Sequence, residues 1–431
     1  MIGNDPPVNG LSGPSSGEDV IGCSLRAAGR LFPPTRYFSD ACRWAIDYSS
    51  PVTIGYELMS PILYLLQTDR TGAILTPDFQ SRLRKLPLCF AQFNALWIGV
   101  FCSSLTMKIA FVGKGGSGKT TLSALFTRYV ASRGLPVIAI DADINQHLPE
   151  ALGVAEKRAR SLKPMGAEID LIKEYVRGCN PRIASRDVMI KTTPPGAGSR
   201  LITVTEQNPI YDYFAHSFNG IRVMAAGPYT EDDLGIKCYH SKTGAVELFL
   251  NHLIDGEREY VVTDMTAGAD SFASGLFTRF DVTFIVVEPT LKSLGVYQQY
   301  KQHASDYGVT LKVVANKLEC AEDASFVEQR VGSDYLTAFG LSRYVRQMEK
   351  GVIGDLSKVE AENMAALEAL LKLVDGQRKD WNKFYRQAVE FHIKNAESWA
   401  NAQLGTNVIG QIDQAFNMED AVSARAKSVG A

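Results

Sequence analysis

Residues 113–120 read Gly-Lys-Gly-Gly-Ser-Gly-Lys-Thr. Glycines this dense let a backbone fold tightly round an anion, with several N–H groups turned inward. The spacing fits G-x-x-x-x-G-K-[ST], in which the lysine reaches outer phosphates and the hydroxyl ligates Mg²⁺. Gly113, Gly115, Gly116, Ser117, Gly118, Lys119, Thr120 and Thr121 are therefore the expected phosphate contacts, with Lys119 also acting in the chemistry. Three further stretches carry groups suited to the same task. "DADINQH" places Asp141 and Asp143 after an apolar run. Asp143 is the better placed to orient an attacking water, and Asp141 to support it or the Mg²⁺ shell. Asp and Asn also favour helix starts, so a capping role is compatible. "YVVTDMTAGAD" runs three apolar residues into Asp264, as a strand carrying a water-mediated Mg²⁺ ligand should, and Gly268 lets the next loop approach a terminal phosphate. "VVANKLE" ends an apolar run with Asn316, whose amide suits adenine N6 and N7. Glu319 stands where a guanine reader has Asp, one methylene longer. These residues alone leave ATP and GTP both open.

These groups need a scaffold that brings strand ends together. Apolar strands are expected at Ile109–Val112, Pro136–Ile140, Leu201–Thr205, Arg222–Ala226, Tyr260–Thr263, Val282–Val287 and Leu311–Ala315. Helices are expected at Lys119–Arg133, Thr243–Leu253, near Ser271–Arg279 and at Ser293–Tyr307. Near-continuous apolar strands alternating with helices mark an α/β fold: a mostly parallel central sheet covered by helices on both faces. Ligands then bind at the carboxyl ends of the strands. Residues 155–200 are more polar and irregular and read as an insertion in a domain spanning 107–355. Residues 356–431 read as a C-terminal helical segment. There Trp381, Phe384, Tyr385, Ala388, Phe391, His392 and Trp399 recur near helical spacing, a stripe that suits core packing.

The stretch "KGGSGKTT" resembles the deviant P-loop (deviant Walker A) of the MinD/ParA/ArsA/nitrogenase-iron-protein superfamily. The acidic pair is similar to its switch I, and "DMTAGAD" to its D-x-x-A-G switch II. The resemblance implies that Lys114, the second lysine of the loop, reaches the partner's nucleotide across a homodimer formed on ATP binding. A cation delivered in this way stabilises charge on the transferring phosphoryl group. Within the superfamily, "DMTAGADSF", "FIVVEPTLKS" and "GIKCYHSKTGAVELFLNHL" resemble the CooC-type ATPases, which help insert nickel into carbon monoxide dehydrogenase. Those carry a C-x-C pair shared across the dimer. This chain has Cys238-Tyr239-His240, and two copies would offer an S₂N₂ set for Zn²⁺ or Ni²⁺ at the dimer interface. The resemblance implies a slow Mg²⁺-ATPase switch acting on a client protein, in metallochaperone or maturation work. The alternative is an ATP-gated regulatory scaffold that carries no metal. ATP-dependent amidation of the cobyrinate-synthase type is a third reading, but it needs a glutaminase domain that the helical tail does not offer.

Composition bounds these readings. The chain has 431 residues, 45% apolar and 21% charged, with a net charge of −2. That balance gives no global case for a nucleic-acid partner. Seven cysteines without a CxxC pair do not form a disulfide framework, so a cytoplasmic setting is expected. No membrane is expected either. Leu86–Thr106 is uncharged and nearly long enough to cross a bilayer. However, it runs without a linker into a strand that must lie mid-sheet. Residues 1–106 begin rich in Pro, Gly and Ser and hold one lysine, Lys85. They read as a poorly structured extension, translated upstream sequence in character, with Met107 as the biological start.

Overall fold

The structure is a computed structural model, and it describes residues 107–228 and 240–429. The expectations for residues 1–106 and for Cys238 lie outside these, as does the side chain of His240.

Ten strands are described: β1 (Met107–Gly113), β2 (Val137–Ala142), β3 (Ile202–Thr203), β4 (His216–Phe218), β5 (Ile221–Ala225), β6 (Leu253–Ile254), β7 (Tyr260–Met265), β8 (Val282–Val287), β9 (Leu311–Leu318) and β10 (Tyr335–Gly340). Eight of them form one sheet in the order β10-β9-β8-β1-β7-β2-β5-β4. Every pairing in it is parallel except that of β4 with β5. The principal helices are α1 (Lys119–Ser132), α2 (Leu148–Leu152), α3 (Ile169–Arg177), α4 (His240–His252), α5 (Leu291–Ser305), α6 (Ala321–Val331), α7 (Arg343–Met348), α8 (Ala361–Asp375), α9 (Trp381–Asn395) and α10 (Met418–Val429).

Alternation along the strands explains the layers. Ile109 and Phe111 of β1 face one side, with α1 and α8 packed there. Ala110 and Val112 face the other, against α4 and α5. β1, β2, β7 and β8 are buried along their whole length. This is why they read as continuous apolar runs.

Three sequence expectations need correction. Leu201–Thr205 shrinks to the two residues of β3, which pair with β6 outside the main sheet. The helix expected near Ser271–Arg279 is two 3₁₀ turns, Gly268–Ala273 and Gly275–Arg279. Ser274 between them is extended, and its hydroxyl accepts from the Leu276 N–H, so a second turn starts where one helix would have continued. Strand β10 was not foreseen. Only its Phe339 is fully buried, so it lacks the apolar run of the central strands. The C-terminal stripe does pack into the body through Trp381, Phe384, Ala388 and His392, while Trp399 is 38% exposed.

The C-terminal segment is fastened by a buried charge box at the amino ends of the strands. Lys108 pairs with Asp255, and Lys379 reaches Asp255 at 2.8 Å and Asp281 at 2.6 Å. Lys108 and Lys379 also lie over the Trp381 ring, at 4.7 and 4.6 Å. Two cations face two anions, and all four groups are paired.

Candidate nucleotide site

β1 ends at Gly113 and delivers the loop to the carboxyl edge of the sheet. Two glycines there are obligatory. At Gly113 (φ 154°) a Cβ would stand 2.5 Å from the Val286 carbonyl oxygen. At Gly118 (φ 94°) it would stand 2.2 Å from Asn316 Nδ2. Gly118 is the N-cap of α1, with no capping side chain and no acid in the first turn. The helix therefore keeps its first N–H groups and its positive end for an anion.

The acids converge on this loop from adjacent strands. Asp141 on β2 and Asp264 on β7 are register partners, as are Asp264 and Phe111 of β1. Asp143 is salt-bridged to Lys119 through Oδ2, and its Oδ1 accepts from Asn145 N at 3.0 Å. Thr120 Oγ1 donates to Asp264 Oδ2 at 2.6 Å. Asp264 Oδ1 is buried and has no hydrogen-bond partner. Asp141 accepts from Asp143 N at 3.1 Å and from Leu148 N at 2.9 Å, so it caps the start of α2. The capping role read from the sequence thus falls to Asp141, and Asp143 faces the lysine.

One lysine among three buried aspartates leaves an acid excess. Burial pushes Asp264 up to about 7, against the pull of Lys119 and the Thr120 hydroxyl. Burial and the charge of Asp264 hold Asp141 well above the usual carboxylate range. Burial opposes the Lys119 ammonium, but Asp264 and Asp143 outweigh it and keep its pKa above the ordinary lysine value. A divalent cation beside Asp264 would relieve the excess. The unpartnered Oδ1, with the Thr120 hydroxyl next to it, fits Mg²⁺.

Two adjoining cavities follow the loop. One of about 280 Å³ is lined by Gly115, Gly116, Lys119, Thr120, Asp143 and His147 among others. The other, about 450 Å³, lies between Asn316, Phe339, Gly340, Ser342, Arg343 and Asn363. Gly118, Thr121, Lys317 and Glu349 line both. Asn316 does one thing the sequence did not suggest: its Nδ2 donates to the Ser117 carbonyl at 2.8 Å, tying β9 to the loop. Lys317, at φ 62°, donates to the Gly116 carbonyl at 2.6 Å and pairs with Glu288 at 2.8 Å. Lys114 is half-buried and its ammonium makes no hydrogen bond or ion pair among the described residues.

Sequence reading missed His147, Lys317, Glu349 and the 339–343 rim. The rim is framed from α8: Gly340 N donates to Asn363 Oδ1 at 2.9 Å, and Arg343 N to Glu360 at 2.8 Å. A wall made of backbone and held from a distant helix leaves no local motif. Lys317 and His147 had a signal, lying inside "VVANKLE" and "DADINQH". Among the described residues, no group of three or more His, Cys, Asp or Glu side chains is arranged to hold a metal, and Cys238-Tyr239-His240 is not covered by that statement. No helix among them is long and apolar enough to cross a membrane.

A mostly parallel sheet with a glycine loop running from its central strand into a helix, acids at the ends of the next two strands on one side, and cavities beyond defines a P-loop nucleotide-binding domain. Residues 109–423 match the CobQ/CobB/MinD/ParA nucleotide binding domain, and the chain belongs to that family. It is 30% identical over 269 residues, 62% of this chain and 96% of the relative, to the carbon monoxide dehydrogenase accessory protein CooC of Rhodospirillum rubrum. It is also 30% identical over 214 residues, 49% of this chain and 75% of the relative, to an uncharacterized ATP-binding protein of Methanocaldococcus jannaschii. Among solved structures, the MinC:MinD cell division protein complex of Aquifex aeolicus is similar, at 17% identity and a TM-score of 0.41, covering 62% of this chain and 95% of that one.

Proposed function

We propose that the protein is a slow Mg²⁺-dependent ATPase that closes as a homodimer on ATP and acts on a client protein. The observation that carries this is the acid excess over the loop, with Asp264 Oδ1 unpartnered beside Thr120. The triphosphate lies along Gly113–Thr121, where the loop N–H groups and the start of α1 receive it. Lys119 turns from Asp143 to the outer phosphates. Asp143, released, orients the water that attacks the γ-phosphorus, and ADP leaves. Thr120 and Asp264 would hold Mg²⁺, with Asp141 supporting its shell. There it would supply positive charge against the triphosphate. The base occupies the larger cavity, between Asn316 and the 339–343 rim. Glu349, at the junction, is placed to accept the ribose hydroxyls. Lys114, whose ammonium has no partner among the described residues, completes the neighbouring copy's site.

The likeness to a carbon monoxide dehydrogenase accessory protein supports a maturation role, in which nickel or zinc is cargo held by Cys238 and His240 of two copies. The replacement of C-x-C by Cys-Tyr-His favours a second reading, a nucleotide-gated scaffold without metal. The experiment is light scattering with saturating Mg²⁺ and a non-hydrolysable ATP analogue, followed by metal analysis of the species formed. A dimer is expected for the wild type, and a monomer for Lys114→Ala. A wild-type protein that stays monomeric contradicts the switch. A dimer whose metal content is unchanged by Cys238→Ser leaves the scaffold.

A further inference from the structure

The chain leaves the phosphate cavity at Ala267 and enters the turn 275–279, which is gripped from two sides. At Gly275 a Cβ would come within 2.4 Å of Glu247 Oε1 on α4 and 2.9 Å of Phe391 Cγ on α9. No larger residue fits without moving one of them. Arg279 closes the same turn from its other end. It is 1% exposed, and its Nη1 donates to Asn251 Oδ1 at 3.1 Å and to the Phe384 carbonyl at 3.0 Å. Asn251 lies one helical turn beyond Glu247, so both ends of the turn rest on one face of α4. Phe277 packs edge-on against Phe391 and Tyr307, at 5.8 and 5.1 Å between ring centroids.

Glu247 is the unusual member. It is 1% exposed, its Oε1 lies against Gly275, and its Oε2 has no hydrogen-bond partner. The charged groups facing it are Lys191, from the 155–200 stretch, and Arg279. Burial pushes its carboxyl up to about 7 against the pull of both. A buried carboxyl with an unmatched oxygen is costly for a helix that needs only to be packed. Here it meets a segment that continues from the phosphate cavity, on the helix whose first residue is His240.

We propose that Glu247 is the positioning residue that couples the phosphate cavity to α4, by holding the turn that continues from Ala267 against that helix. This rests on the nucleotide reading above. Movement of the Ala267–Ser274 stretch toward a terminal phosphate shifts Gly275, and the tight Glu247–Gly275 contact passes the shift to α4. Contiguous packing carries such coupling only if the contact is stiff, and an approach this close leaves no slack.

Hydrogen–deuterium exchange on the full chain tests this at residues 275–279 and 240–252, with and without Mg²⁺ and a non-hydrolysable ATP analogue. In the wild type both segments should slow together. In Glu247→Ala the response at 240–252 should fall by about threefold or more, while that at 275–279 persists. Glu247→Gln keeps the length and the acceptor and should restore the response. If Glu247→Ala does not fold, Glu247→Asp serves, since it keeps the carboxyl but is too short to press on Gly275. A full response at 240–252 in either shortened variant overturns the coupling. A wild type that answers nucleotide in neither segment removes the nucleotide reading and the coupling with it.

Discussion

The sheet carries a buried charged cluster at each end, and they are built to opposite rules. At the amino ends of the strands, Lys108 and Lys379 face Asp255 and Asp281, two cations to two anions. At the carboxyl ends, Lys119 alone faces Asp141, Asp143 and Asp264, and one carboxylate oxygen has no partner. The first cluster is closed. Aromatic rings of α9 cover it, and nothing further is needed to satisfy it. The second sets one lysine against three carboxyls, two of them held above their usual range by burial, and it opens on a cavity lined by glycines. Closed clusters hold a fold together, whereas an unbalanced one costs stability until a ligand supplies the missing charge.

The largest expected effect breaks the closed cluster. Lys379→Met leaves two buried aspartates sharing one lysine and should destabilise the protein by about 4 kcal/mol, read by denaturant unfolding. Nucleotide affinity of the molecules that still fold should be unchanged, because the box lies at the far ends of the strands. A smaller effect sharpens the contrast through Glu247, which is half compensated. Its carboxyl titrates at about 7 in the fold against an ordinary value of 4.5. Between those values the native state holds a proton that the unfolded chain has released. Stability therefore falls as pH rises from about 4.5 to about 7, by up to about 3 kcal/mol, and is flat above. Glu247→Gln removes that loss. The variant should match the wild type near pH 4 and exceed it in melting temperature at pH 8. A variant equally shifted at both pH values would show that the effect is packing rather than charge.

Much of the carboxyl end was legible in the sequence because its parts are local. The loop must be consecutive, Asp141, Asp264 and Asn316 each end an apolar run whose strand identity is plain, and Asp143 lies two residues past Asp141. The closed box was not legible. Lys108 and Lys379 are single lysines in unremarkable contexts, and only the pairing of β1 with its neighbours and the docking of α9 bring them together. The nucleoside wall escaped for the same reason: Asn363 and Glu360 hold Gly340 and Arg343 from a helix start twenty residues away in round terms, through backbone groups that leave no residue-type signature. The stretch near Ser271–Arg279 reads as helical because its apolar residues, Phe272, Leu276 and Phe277, mimic helical spacing, while Ser274 and Gly275 break it.

The most direct test of the open cluster is thermal unfolding of the wild type and of Asp264→Asn, each with Mg²⁺ alone, a non-hydrolysable ATP analogue alone, and both. The wild type should gain several degrees with both together, about 2–3 kcal/mol at ligand near a hundred times its dissociation constant, and much less with either alone. Asp264→Asn should lose the Mg²⁺-dependent part of that gain. A wild type whose melting temperature is the same in all conditions, or an Asp264→Asn protein that gains as much from Mg²⁺ as the wild type, would contradict the reading of this cluster as a metal–nucleotide acceptor.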